Sequence, residues 1–143
     1  GITFPDGTVQ RTAFSPTKIG ILSQVKVNHH YNITPDDIGK HIVVTEPDVV
    51  INIPENRYYS FPIGSAITIV NLSHETIYIE KYANNEYGNL YGVGTEYNSR
   101  YWALHDYGGG GIATVVKVRD YVDENGNRYV DWLISGTPLE EYD

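Results

Sequence analysis

Apolar and polar residues alternate in short runs along most of this chain, and turn-forming residues interrupt the runs roughly every 8–15 positions. A period of two sends successive side chains to opposite faces of a strand, so the pattern predicts half-buried β-strands. The helical period of 3.6 is nearly absent. Strands are predicted over residues 19–28, 41–45, 49–53, 66–71, 76–80, 112–122 and 128–135. Glu46-Pro47-Asp48 supplies one turn and Leu72-Ser73-His74-Glu75 another. Residues 66–80 therefore read as a hairpin with Ile67, Ile69, Ile77 and Ile79 facing the core. Thr34-Pro35-Asp36-Asp37-Ile38-Gly39 reads as one helical turn. Thr caps it, Pro takes the first position, the acids favour the positive end and Gly closes it.

The closing hairpin is the clearest unit. Asp123 to Asn127 forms its loop, with Asn125-Gly126 suited to positive φ. Trp132 shares a strand face with Val130 and Ile134, and this is the face predicted to be buried. Residues 82–111 break the alternation. They carry Tyr82, Tyr87, Tyr91, Tyr97, Tyr101 and Trp102 among many Gly and Asn, and end in Gly108-Gly109-Gly110-Gly111. Long connections inside compact domains are usually functional or disordered, and the aromatic content argues against disorder. The run of glycines reads as flexible backbone or as a place of close packing.

Composition narrows the function classes. At 143 residues the chain suits one compact domain with a small N-terminal extension. It has no Cys, which excludes disulfides and thiolate metal sites. A net charge of −8 argues against binding to nucleic-acid phosphates or to anionic membrane surfaces. No apolar run approaches the length of a membrane-spanning helix. Tyrosine is abundant, 13 residues against 3 Phe and 2 Trp. Its rings couple apolar area to a polar tip, which serves half-buried sheets and binding surfaces alike. The start at Gly1 and the absence of Met fit a terminal piece of a longer chain.

The opening residues add a resemblance. Ile2-Thr3-Phe4 and Thr8-Val9-Gln10 flank a Pro5-Asp6-Gly7 turn, which predicts a tight hairpin. An isolated hairpin is marginal in water, so something else must cover it. The pattern G-I-x-F-P-D-G-T-x-Q-x-T-A resembles a segment of phage tail-fibre and other virion-appendage proteins. Residues 61–70, of the form F-P-x-G-x-x-I-T-I-V, resemble a strand of the same family. Residues 107–136 resemble its closing hairpin, with Ala113-Thr114 and Lys117-Val118 in one strand and Trp132, Leu133, Ser135 and Gly136 in the other. The resemblance implies a small, usually trimeric β-sandwich or jelly-roll tip. The run from Gly108 to Gly111 and the loop from Asp123 to Asn127 look longer than the family's connections.

Motif chemistry is sparse. His29-His30 cannot chelate with both rings from one strand. Asp123-x-Asn125-Gly126-Asn127 lacks the glycine position and the late Glu of a calcium loop. Glu75 with Glu80, or Glu96 with Asp106, could cleave glycosides only if set about 5–9.5 Å apart across a cleft. The glycines lack the Lys-Ser/Thr of a phosphate loop. The best candidates are Tyr82, Tyr87, Tyr91, Tyr97, Tyr101 and Trp102 as platforms for sugar rings, with Asn84, Asn85, Asn98 and His105 as hydrogen-bonding partners. The alternative is that these rings fill the space between protomers.

The reading is an all-β, β-sandwich or jelly-roll-like tip domain over residues 17–143, with an N-terminal β-hairpin collar over residues 1–16. Its expected role is structural and adhesive, at the end of a phage tail fibre or similar virion appendage. It is expected to form a homotrimer, to join the fibre through its N-terminus and to touch a host-surface polysaccharide. No catalysis, cofactor, metal, nucleic acid or membrane insertion is expected. The alternatives are a glycan-degrading depolymerase tip and a ligand-free structural cap or capsid decoration.

Overall fold

The computed structural model describes residues 23–142. The collar hairpin expected over residues 1–16 lies outside them. The described chain forms eleven strands: β1 (Gln24–Val27), β2 (Tyr31–Asn32), β3 (His41–Val44), β4 (Val50–Ile53), β5 (Ala66–Asn71), β6 (Thr76–Lys81), β7 (Tyr87–Gly92), β8 (Tyr101–His105), β9 (Gly111–Val122), β10 (Arg128–Thr137) and β11 (Leu139–Glu141). They make two sheets, one of order β1-β3-β5-β9-β10-β7 and one of order β11-β8-β6-β4-β2. The result is the all-β sandwich that the alternation predicts.

The first six strands do not pair as hairpins. β1, β3 and β5 run parallel in the first sheet, while β2, β4 and β6 run parallel in the second. The chain thus crosses between sheets at every connection and moves one strand sideways per circuit. Residues 66–80 are an arch rather than the expected hairpin. The inward positions are the same in both arrangements, which is why Ile67, Ile69, Ile77 and Ile79 are all buried as predicted. The arch is held from inside by Asn71. Its Nδ2 donates to the Glu75 carbonyl at 3.0 Å and to the Leu104 carbonyl of the other sheet at 2.8 Å, and its Oδ1 accepts from the Ser73 amide. The left-handed backbone at His74 turns the chain, as Asp48 does in the preceding arch. The helical turn over residues 34–39 forms as a 3-10 turn at Pro35–Asp37. Asp37 Oδ2 accepts from the Thr34 amide there, and Tyr31 donates its hydroxyl to the same carboxylate.

In-register packing fills the core. Ile42 pairs with Ile69 and Ile69 with Ala113 across the first sheet, and Ile51 pairs with Ile79 and Ile79 with Trp102 across the second. Each such side chain contributes about 1.5–3 kcal/mol on leaving water. β9 and β10 form the predicted closing hairpin, with a register shift between Asp131 and Trp132. Asp123 organises its loop by accepting from the amides of Asn125 and Asn127, and Gly126 takes φ 82°.

Residues 82–111 are not one long loop. β7 and β8 lie within them, β7 pairing parallel to β10 and β8 antiparallel to β6. The glycine run is ordered around a buried carboxylate. Asp106 Oδ1 accepts from the Gly108 and Gly110 amides, and Oδ2 from the His74 amide. A Cβ at Gly111 would overlap the His105 carbonyl oxygen, so close packing explains this glycine.

Trp132 is 1% exposed and meets Phe61 edge-on at 5.3 Å between ring centroids. Trp132→Ala should cost about 3–5 kcal/mol in denaturant melts, the usual range for a deleted core aromatic.

Candidate functional site

Polar outward positions on β2, β4, β6 and β8 fall in one cross-strand row. Asn32 is in register with Asn52, Asn52 with Glu80, and Glu80 with Tyr101. Each is outward because its neighbours point in, as Asn52 does between Ile51 and Ile53. Four strands at the usual spacing make this row about 14 Å long.

Above the row lies a groove in two parts that meet at Tyr82. One part, about 480 Å³, is lined by Asn32, Asn52, Pro54, Tyr58, Tyr59 and Tyr82. The other, about 440 Å³, includes Glu80, Arg100, Tyr101 and Tyr142. Tyr58, Tyr59 and Tyr82 are 59%, 41% and 44% exposed, so large parts of these rings meet solvent. Asn52 Nδ2 donates to Asn32 Oδ1 at 3.0 Å, which leaves Asn52 Oδ1 buried without a partner. A buried amide oxygen without a donor is costly. Tyr101 and Tyr142 pack with Tyr78 at ring separations of 5.1–5.4 Å and close the far end. Burial, then the Glu80 carboxylate, pushes the Tyr101 phenol up, so it keeps its proton as a donor.

The groove wall rests on a hydrogen-bonded base. Glu55 Oε2 accepts from the Asn85 amide at 2.8 Å, and its other oxygen lies 3.5 Å from Arg57. Burial works against the Glu55 charge, but the Asn85 amide and Arg57 outweigh it and hold the carboxyl below the usual range. Arg57 in turn lies over the Tyr58 ring at 4.7 Å. Glu86 accepts from the Asn56 amide and from Lys81.

The aromatic residues singled out in the sequence do not converge. Tyr82 and Tyr101 belong to this groove. Tyr87 and Tyr91 lie on the outer face of the opposite sheet. There Tyr87, Tyr129 and Tyr121 stack across three strands at 4.9 Å, so the rings cover one another's faces. Tyr91 lies under Arg119, whose guanidinium pairs with Asp131. Tyr97 sits exposed in the turn between β7 and β8. Trp102 cannot be a platform. It is 2% exposed, packs over Gly92 and donates its indole N–H to the Leu90 and Ser99 carbonyls. His105 is held between Thr76 and Glu140 and stacks on Tyr107, away from the groove. Asn84 and Asn85 flank Tyr87, and Asn98 donates to Asn89. Asn32, Asn52, Tyr58, Tyr59 and Tyr142 were missed, and Glu80 was weighed only as one half of an acid pair with Glu75. The strict alternation around Asn52 and Glu80 marks them as outward, and the Tyr58-Tyr59 pair after Pro54 is visible in the chain.

Two tests separate these roles. Trp102→Ala should destabilise by about 3–5 kcal/mol, whereas Tyr59→Ala should stay within about 0.5 kcal/mol of the parent in thermal or denaturant melts. Asp106 gives a pH signature. The Gly108 amide acts most strongly against its protonation, and the Gly110 and His74 amides add to this against the effect of burial, so its carboxyl is lowered in the folded state. Its contribution is complete above the unfolded aspartate value and is lost as pH falls through the lower folded value. Asp106→Ala should melt earlier than the parent at pH 7 and converge toward it in acid.

No family model, curated protein or solved structure matches this chain.

Proposed function

We propose that this chain is the adhesive terminal domain of a phage tail fibre or similar virion appendage, and that it holds a host-surface glycan in the groove on its second sheet. The observation that carries the reading is the set of three exposed rings, Tyr58, Tyr59 and Tyr82, over a floor that includes Asn32 and Asn52. Exposed rings supply apolar faces for pyranose C–H groups, and the amides supply directional hydrogen bonds. The opening motif and the two further family-like segments support the appendage assignment. The acidic chain and the groove's open shape suit a surface that meets hydroxyl-rich polymers rather than polyanions.

Binding fits better than cleavage. Among the described residues lining the groove, Glu80 is the single carboxylate, and glycoside hydrolysis ordinarily uses two. In an appendage the domain would act as a homotrimer, with one repeated heterologous interface closing around a threefold axis. Light scattering of the purified chain at micromolar concentration checks this: three chains are expected, and a stable monomer would remove the trimer.

Tyr58→Ala, Tyr59→Ala and Tyr82→Ala test the groove. At least one should weaken binding to host envelope polysaccharide about tenfold or more, equivalent to about 1.4 kcal/mol, with the melting temperature kept. Unchanged binding in all three would place the ligand elsewhere. Release of reducing sugar by the parent protein would replace adhesion with cleavage.

A further inference from the structure

Among the described residues two lysines are buried, and only one of them has a carboxylate to itself. Lys81 pairs with Glu86 at 2.6 Å. Glu55 has Arg57 at 3.5 Å, and Asp120 has Arg128 at 3.0 Å on its Oδ1. Lys117 is 1% exposed and shares Asp120, reaching Oδ2 at 2.8 Å. The cluster buries two cations (Lys81, Lys117) among three carboxylates (Glu55, Glu86, Asp120), while Arg57 and Arg128 reach it from the surface. Lys117 shares its one carboxylate with Arg128, and burying an ammonium group is unfavourable unless it is fully paired.

Lys117 Nζ also touches Asn56 Oδ1 at 3.0 Å and the Phe61 carbonyl. The Phe61 ring, edge-on to Trp132, forms part of the apolar surroundings, and Trp132 is the cross-strand partner of Lys117. Asn56 is itself held, since its backbone amide donates to Glu86 Oε2 at 3.0 Å. An amine, a carboxamide and a carboxylate therefore meet in one shielded place.

We propose that Lys117 and Asn56 join through an intramolecular isopeptide bond, with Asp120 carrying the protons. Asp120 Oδ2 takes one proton from the ammonium group. The neutral amine attacks Asn56 Cγ and a C–N bond forms. Asp120 hands its proton to Asn56 Nδ2, the Cγ–Nδ2 bond breaks, and ammonia leaves. The second lysine proton passes through Asp120 and departs with the ammonia as ammonium, while the third remains on the new amide. No oxidant, reductant or further reactant is needed. Held groups react far faster than free ones when their atoms lie about 3–3.5 Å apart. The product removes a buried charge, and Asp120 keeps Arg128. The bond would tie the long connection between β4 and β5, which carries Tyr58 and Tyr59, to β9. The proposal does not depend on the glycan reading.

Intact mass under denaturing conditions, followed by peptide mapping, tests it. The parent should weigh one ammonia less than its sequence, and a branched peptide should contain both Lys117 and Asn56. Lys117→Met should show the full sequence mass. Asn56→Ala, a half-buried loop change that leaves the core lysine in place, should do the same while keeping a cooperative melt. Asp120→Asn should leave most molecules unlinked, and complete linkage in that variant would overturn the role given to Asp120. A parent at full sequence mass overturns the bond. So does an ammonia loss that persists in Lys117→Met, because Asn125-Gly126 can lose ammonia by cyclising on its own backbone.

Discussion

Contact between two inward-facing apolar surfaces holds this domain together, and the chain reaches that contact by winding. A sheet face of Ile42, Val44, Ile67 and Ile69 has to be covered, and the face that covers it carries Ile51, Ile53, Ile77 and Ile79. Because the chain crosses between sheets after each of its first strands, every short strand contributes to one face and its successor to the other. Backbone hydrogen bonds then run between circuits rather than between sequence neighbours. The long β9–β10 hairpin completes the first sheet beyond β5, and β7 closes its edge by pairing parallel to β10.

Most buried polar groups among the described residues lie near the turns of the winding. At one end Asn71 bridges the sheets and Asp106 collects three backbone amides. At the other, Lys81, Lys117, Glu55 and Glu86 fill the space under the connections after β4 and β6. Burying such groups is worthwhile only when each finds partners, since an unpaired buried charge costs several kcal/mol. Asn71 and Asp106 meet that condition completely. In the lysine cluster Lys81 has Glu86 to itself, whereas Lys117 shares Asp120 with Arg128. This asymmetry singles out Lys117 from the other buried polar residues.

Most strand positions and their inward faces were legible in the alternation, as were the closing hairpin with Trp132 inside and the turn at residues 34–39, but the short β2 and β11 were not. Pairing partners were not, because an arch and a hairpin demand the same inward residues. Ile67 and Ile77 would be buried in either. β7 and β8 were hidden by their glycines and tyrosines, whose outward faces carry no simple polar pattern. Trp102 was misplaced for a related reason: an aromatic in a glycine-rich stretch looks exposed until Gly92 is seen to make room for its ring. The candidate groove was only half legible. Tyr82 and Tyr101 were in view, but Asn52, Tyr58 and Tyr59 come from a segment read as strand end and connection. Their convergence depends on which strands neighbour one another.

The two outer faces now differ in a way that composition alone could not show. On the first sheet, Tyr87, Tyr129 and Tyr121 stack on one another, and Asn89, Asp131 and Arg119 bond among themselves. That face has spent most of its recognition groups internally. On the second sheet the rings above the row from Asn32 to Tyr101 keep exposed area. Surplus tyrosine therefore serves two purposes in one chain. Where cross-strand neighbours are also tyrosines, the rings saturate one another and stiffen the sheet. Where the neighbours are Asn and Glu, the rings come from loops instead, and their faces stay available to a partner.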